Sequence, residues 1–203
     1  MPKQEFPFPM PNGWFCVTRS DEIKAGELKN IKFCENNVAA FRTKSGKAAV
    51  LDAYCGYSGI NLALCGEVSE EALYCSKTGI KWGTDGSCID IDGDSLTPES
   101  AKDIKIFNYP VVEINGFIWA WHHLLKEKPY FELPMLDGFN GDDEKWGKVY
   151  NYEYKINTVL QEIAENDVDQ AHFPKVHGSP SLPETEAIVD GIYRKTIAET
   201  LMD

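Results

Sequence analysis

The 203-residue chain sets 20 lysines and arginines against 32 aspartates and glutamates, a formal net charge of −12. With no basic run in it, that balance excludes charge-driven binding to nucleic acid or to an anionic membrane surface, and it would attract a basic protein partner. Apolar residues make up 43% of the sequence, enough for a real core in one large domain or two modest ones.

No stretch reaches the ~20 consecutive apolar residues of a membrane span. The opening MPKQEFPFPMPNGW lacks the apolar centre of a signal peptide, so a cytoplasmic address is the expectation. Cysteines stand at 16, 34, 55, 65, 75 and 88. In a reducing compartment such a cluster suggests metal or free thiols before disulfides.

From residue 14 to 125 short β segments alternate with Gly, Asn and Asp: WFCVT, AAFRT, AAVLDAYC, GIKWG, CIDID, VVEI and GFIWAWHH. This predicts an all-β first domain. Asn-Gly occurs at Asn12-Gly13 and at Asn115-Gly116, the second of which marks a two-residue hairpin turn between VVEI and FIWAW. His122-His123 then reads as a strand end, and Trp14, Trp82, Trp119 and Trp121 as core or rim aromatics.

Next come KPYFELPML, extended and bounded by prolines, and the acidic LDGFNGDDEKWGK, which together suit a connector. The boundary is placed near residue 135, giving domains over 1–135 and 136–203. Thr158 to about His172 predicts a single helix, with Thr158 and Gln161 as a capping box and Pro174 and Gly178 closing it. Leu160, Ala164, Val168 and Ala171 form its apolar stripe, while Glu165, Asp169 and His172 share another face. A hairpin around Asp190-Gly191 follows. Few residues remain for an independent second core, so that domain reads as cut short. No GxGxxG or GxxxxGK[ST] occurs, so no nucleotide site is visible.

The segment VLDAYCGYSGINLALCGEVSEEALYCSKTGIKWGTDGSCIDI resembles the Rieske domain of ring-hydroxylating and sterol-modifying oxygenases. That family's signature is Cys-x-His, a spacer, then Cys-x-x-His-Gly. The matching frame is Cys55-Gly-Tyr57, a spacer of 17 residues, and Cys75-Ser-Lys-Thr78-Gly79. Gly59, Asn61-Leu62, Gly66, Val68, Trp82, Asp85-Gly86 and Cys88 also stand where the family carries similar residues.

A Rieske [2Fe–2S] centre takes two thiolates on one iron and two imidazoles on the other. Here Cys55 and Cys75 supply the thiols, but Tyr57 and Thr78 hold the histidine positions. Three readings stay open. The cysteines are packed as small hydrophobes without metal; they belong to an altered zinc or iron–sulfur site recruiting Cys65 or Cys88; or a conventional cluster is completed in a way the sequence does not show.

Further on, ENDVDQAHFPKVHG resembles the catalytic-domain motif of the same oxygenases, in which two histidines spaced H-x4-H bind a mononuclear non-haem Fe(II). The resemblance implies His172 and His177 as iron ligands and Asp169 as the residue linking that iron to a neighbouring subunit's cluster. A facial triad needs one more carboxylate, which the family takes from later in the domain.

The resemblance runs from about Gly13 to Gly178 in the family's domain order. NGWFCV, VLDAYC and NLALCGEV look most like the cholesterol 7-desaturase and 3-ketosteroid 9α-hydroxylase branch. It implies a mainly β chain with a smaller α+β part: an antiparallel Rieske-like domain followed by the truncated start of a helix-grip catalytic domain. It further implies a sterol-like substrate, an electron-donating reductase and a homo- or hetero-oligomer. With both cluster histidines replaced and the third iron ligand missing, the chain is expected to be inactive alone. The alternative is a non-catalytic binding or assembly subunit, or a fragment, of such an oxygenase.

Overall fold

A computed structural model describes residues 9–92, 101, 103–139, 146–147 and 150–199. They fall into two compact units, one containing the described residues up to 147 and the other those from 150 to 199.

The first unit is antiparallel throughout. Strands β1 (Gly13–Arg19), β2 (Leu28–Phe33), β3 (Asn36–Arg42) and β4 (Ala48–Asp52) lead into a one-turn helix α1 (Leu62–Cys65). After it come β5 (Gly66–Ser69), β6 (Ala72–Cys75), β7 (Ile80–Gly83), β8 (Cys88–Ile91), β9 (Val111–Ile114) and β10 (Phe117–His122). They form three sheets, ordered β1-β10-β9, β2-β3-β4 and β5-β6-β7-β8.

The central sheet is buried on both faces. Because side chains alternate along a strand, Ala39, Phe41, Ala49 and Leu51 enter one apolar cluster with Leu62, Leu73, Ile80 and Trp82. Val38, Ala40 and Val50 enter a second one with Ile23, Phe33, Tyr109 and Ile118. A strand pair buried twice reads as a continuous apolar run, which is how VAAF and AAVL appear in the sequence.

Arg42, at the end of β3, ties the sheets together. Its Nε donates to Ile23 O, Nη1 to Gly46 O and Glu113 Oε2, and Nη2 to Ser20 O and Glu113 Oε1, at 2.7–2.9 Å. All five guanidinium N–H groups are thereby satisfied.

The hairpin at Asn115-Gly116 forms as the Asn-Gly signal predicts, with φ of 55° and 77° at its two turn residues. Sequence reading misses β2, β5 and β6. The β2–β3 turn is made by Cys34 and Glu35, both left-handed (φ 44° and 71°), a pair with no turn signature. β5 and β6 are four residues each, joined through Glu70-Glu71 inside what reads as a polar spacer.

The segment after β10 lies along this unit: Trp14 Nε1 donates to Phe131 O at 2.9 Å, and Asn115 bonds both Pro134 O and Leu136 N. Positions 140–145 of the acidic connector lie outside the described residues.

In the second unit the single helix expected over 158–172 is two short ones, α2 (Leu160–Asn166) and α3 (His172–Val176). The break has a local cause. Asp169 Oδ1 accepts the Ala171 amide at 2.9 Å, a side-chain turn that competes with helical pairing. Nor does Thr158 act as the cap: Val159 is the N-cap without a side-chain bond, and the Thr158 hydroxyl bonds Glu162. Leu160, Val168 and Ala171 of the expected stripe are exposed. Pro174 sits in the first turn of α3, where its missing N–H costs nothing, and the chain leaves α3 at Gly178 with φ 68°. Strands β11 (Glu184–Asp190) and β12 (Tyr193–Glu199) pair as the expected hairpin.

Two consequences are measurable. Phe41→Ala, which empties a fully buried position, should cost about 3–5 kcal/mol, read as a lowered denaturation midpoint. The Arg42 guanidinium holds the Glu113 carboxyl below the usual glutamate range. A carboxyl lowered in the folded state stabilises above its unfolded pKa, about 4.3, and loses that contribution as pH falls through the folded value. Melting temperature should therefore fall more steeply over this acid range in the wild type than in Glu113→Gln.

Candidate metal centres

Two loops extend from β4 and β6 toward the first apolar cluster. In the first, Tyr54 N is held by Asp52 Oδ1 at 3.0 Å, Cys55 N donates to Ile60 O, and Gly59 N donates to Cys55 O, both at 2.8 Å. Asn61 then caps α1 by accepting the Ala63 amide at 2.9 Å. In the second loop Thr78 N and Gly79 N both donate to Cys75 O, at 3.2 and 2.9 Å. Gly79 is left-handed (φ 73°), and a Cβ there would lie 1.9 Å from Asp92 O, so only glycine fits.

These loops bring Cys55 and Cys75, 2% and 0% exposed, into the same buried cluster with Leu51, Leu62, Leu73 and Trp82. Two more thiols lie near. Cys65 donates to Asn61 O at 3.1 Å; burial pushes its thiol up, with Cys75 and Cys55 adding to the effect. Cys88 on β8 is raised by burial too, with Cys55 among the smaller causes. Sequence reading raised Cys65 only as a spare metal ligand; its place beside Cys75 comes from the pairing of Gly66 with Cys75 across β5 and β6.

The other two loop positions differ in character. Tyr57 is half exposed at the rim. Thr78 Oγ1 accepts Ile80 N at 3.4 Å, turned back into its own loop. The loops therefore offer two thiols, a phenol and a hydroxyl, a donor set unlike the two thiolates and two imidazoles of a Rieske centre. His122 ends β10 and His123 follows it; His123 Nδ1 accepts the amides of Leu125 and Glu127 at 3.2 and 3.3 Å and its ring stacks on Trp121. That imidazole serves a turn.

In the second unit His172 and His177 come together. α3 carries the first at its start and the second at its C-cap, where His177 N donates to Phe173 O at 3.0 Å. Their rings lie 5.1 Å apart, centroid to centroid, on a pocket of about 410 Å³ that Asn166, Asp167, Phe173 and Arg194 also line. His172 Nδ1 bonds the carbonyl of Asp169, whose carboxylate lies 3.9 Å away. A carbonyl only accepts, so Nδ1 donates in this bond and Nε2 is the nitrogen left for another partner. Arg194 donates to Ala164 O at 3.0 Å and lies 3.9 Å from Asp167. Among the described residues no three His, Cys, Asp or Glu side chains are arranged to hold a metal ion, and no helix is long and apolar enough to cross a membrane.

Comparison with known proteins matches this order of parts. The family model of the Rieske [2Fe-2S] domain matches residues 13–107, and that of the 3-Ketosteroid 9alpha-hydroxylase C-terminal domain matches residues 120–199. Cholesterol 7-desaturase nvd 1 of Ciona intestinalis is 34% identical over 174 residues, which cover 85% of this chain and 36% of that protein. Cholesterol 7-desaturase nvd of Drosophila melanogaster is 36% identical over 174 residues, covering 85% and 39%. The chain thus spans little more than a third of the length of these relatives. Among solved structures, dicamba monooxygenase bound to dicamba superposes over 93% of this chain and 58% of its own, with a TM-score of 0.68 and 19% identity, a likeness of fold. With two family matches in order over most of its length and relatives above 30% identity, the chain belongs to the Rieske-type non-haem iron oxygenases.

Proposed function

We propose that this chain is a sterol-branch Rieske oxygenase homologue that cannot accept an electron through its own cluster loops and so does not turn over substrate alone. The observation that carries the reading is the donor set: Cys55 and Cys75 are buried together, while Tyr57 and Thr78 stand where imidazoles are required. Neutral nitrogen ligands are what raise the potential of a Rieske centre. A threonine hydroxyl is a poor iron ligand, and a tyrosine phenolate gives a different centre.

The substrate class is sterol-like, by likeness to the cholesterol desaturases. His172 and His177 supply two imidazole donors of a facial triad, which leaves positions for oxygen and substrate. Asp169 fixes the His172 tautomer through its carbonyl and acts as a positioning residue. Oxidation of a sterol by this chain then requires a third ligand for the iron and a second chain with an intact cluster, in a mixed oligomer served by a reductase.

Protein purified without oxygen should be colourless and free of iron and sulfide. The double variant Tyr57→His/Thr78→His should gain two irons, two sulfides and visible absorption bands. Wild-type protein that already carries two irons and two sulfides, or that oxidises a sterol when given only a reductase, would sink the reading. Added ferrous iron should bind at one site per chain and be lost in His172→Ala/His177→Ala; binding unchanged in that variant would remove the histidine pair from the reading.

A further inference from the structure

The cluster loops gather more sulfur than the two ligand positions account for. Cys65 is the last residue of α1 and Cys75 the last of β6. The residue in register with Cys75 is Gly66, so no side chain fills the space across the ladder. Gly66 is held close: a Cβ on it would lie 2.5 Å from Leu62 O and 3.1 Å from Tyr74 O.

In an extended strand the residue before Gly66 would point to the opposite face. Here that residue closes a helical turn, and the pairing of Gly66 with Cys75 sets it beside the end of β6, its thiol donating to Asn61 O at 3.1 Å. Ser76 Oγ donates to Cys65 O at 3.0 Å and pins the two backbones at this point. Cys75 is fully buried and Cys65 partly exposed, so an oxidant from solvent meets Cys65 first.

We infer that Cys65 and Cys75 form a reversible dithiol–disulfide pair in the place where related proteins hold a cluster. The inference rests on the cluster-free reading above, since a metal-bound Cys75 is not available. A hydroperoxide is the oxidant. Hydrogen peroxide converts the Cys65 thiol to sulfenic acid and leaves as water. The Cys75 sulfur then attacks that of Cys65, its proton departs with the hydroxide as a second water, and the S–S bond forms. Two thiols lose two hydrogens, one peroxide becomes two waters, and an added dithiol reverses the change by exchange.

The test uses the whole chain, reduced, freed of reductant and assayed for iron and sulfide before exposure to hydrogen peroxide. Remaining thiols are alkylated with iodoacetamide and the digest is mapped by mass spectrometry. The expected result is a peptide linking Cys65 to Cys75, four cysteines alkylated, and all six alkylated after dithiothreitol. Cys65→Ser should lose the linked peptide and leave Cys75 as a thiol. A metal-free chain in which Cys65 stops at sulfinic acid while Cys75 is alkylated, or in which another pair is linked, overturns the disulfide alone. Iron and sulfide in the starting protein overturn the cluster-free reading, and the disulfide with it. The wild-type map decides the matter even where a variant fails to fold.

Discussion

The rest of the first unit depends on the double burial of β3 and β4. A strand pair with apolar side chains on both faces has no solvent side, so a one-residue slip would exchange two packed surfaces at once. Register is therefore fixed there, and everything attached inherits it. On one face stand the sheet β5-β6-β7-β8 and helix α1, which carry Cys65 and Cys75; at the end of β4 the chain enters the loop holding Cys55. On the other face the second cluster anchors β10 through Ile118 and Ala120.

This arrangement explains how the loops keep their shape with a thiol–phenol–thiol–hydroxyl donor set. Their geometry is specified by backbone hydrogen bonds around Cys55 and Cys75, by Asn61 at the start of α1 and by a left-handed Gly79 crowded against Asp92. None of these interactions uses the side chains at 57 or 78. Scaffold and ligand set are separable here, and a fold-level likeness speaks for the first without settling the second.

Legibility in the sequence followed the same division. Short apolar segments broken by Gly, Asn and Asp, the Asn-Gly and Asp-Gly turns and the two family motifs gave the β domain, the closing hairpin and the placement of Cys55, Cys75, His172 and His177. Short strands lying in polar sequence escaped: β5 and β6 flank a Glu-Glu turn, and β2 enters β3 through Cys34-Glu35, whose left-handed pair has no compositional mark. The α2–α3 break escaped because periodicity cannot register one carboxylate, that of Asp169, taking an amide from the helix. The approach of Cys65 to Cys75 is likewise a product of tertiary placement, since ten positions separate them in the chain.

Arg42 has a further implication for motion. A guanidinium with every donor engaged, spanning β3, the turn at Gly46, the segment from Ser20 to Ile23 and Glu113 on β9, cannot release one partner by rotating toward another. Detaching any of those segments leaves a mostly enclosed cation short of acceptors, which penalises partial opening relative to complete unfolding. The side chain thus couples two separate sheets into one exchange unit, whose amide protons reach solvent through a shared, rare event.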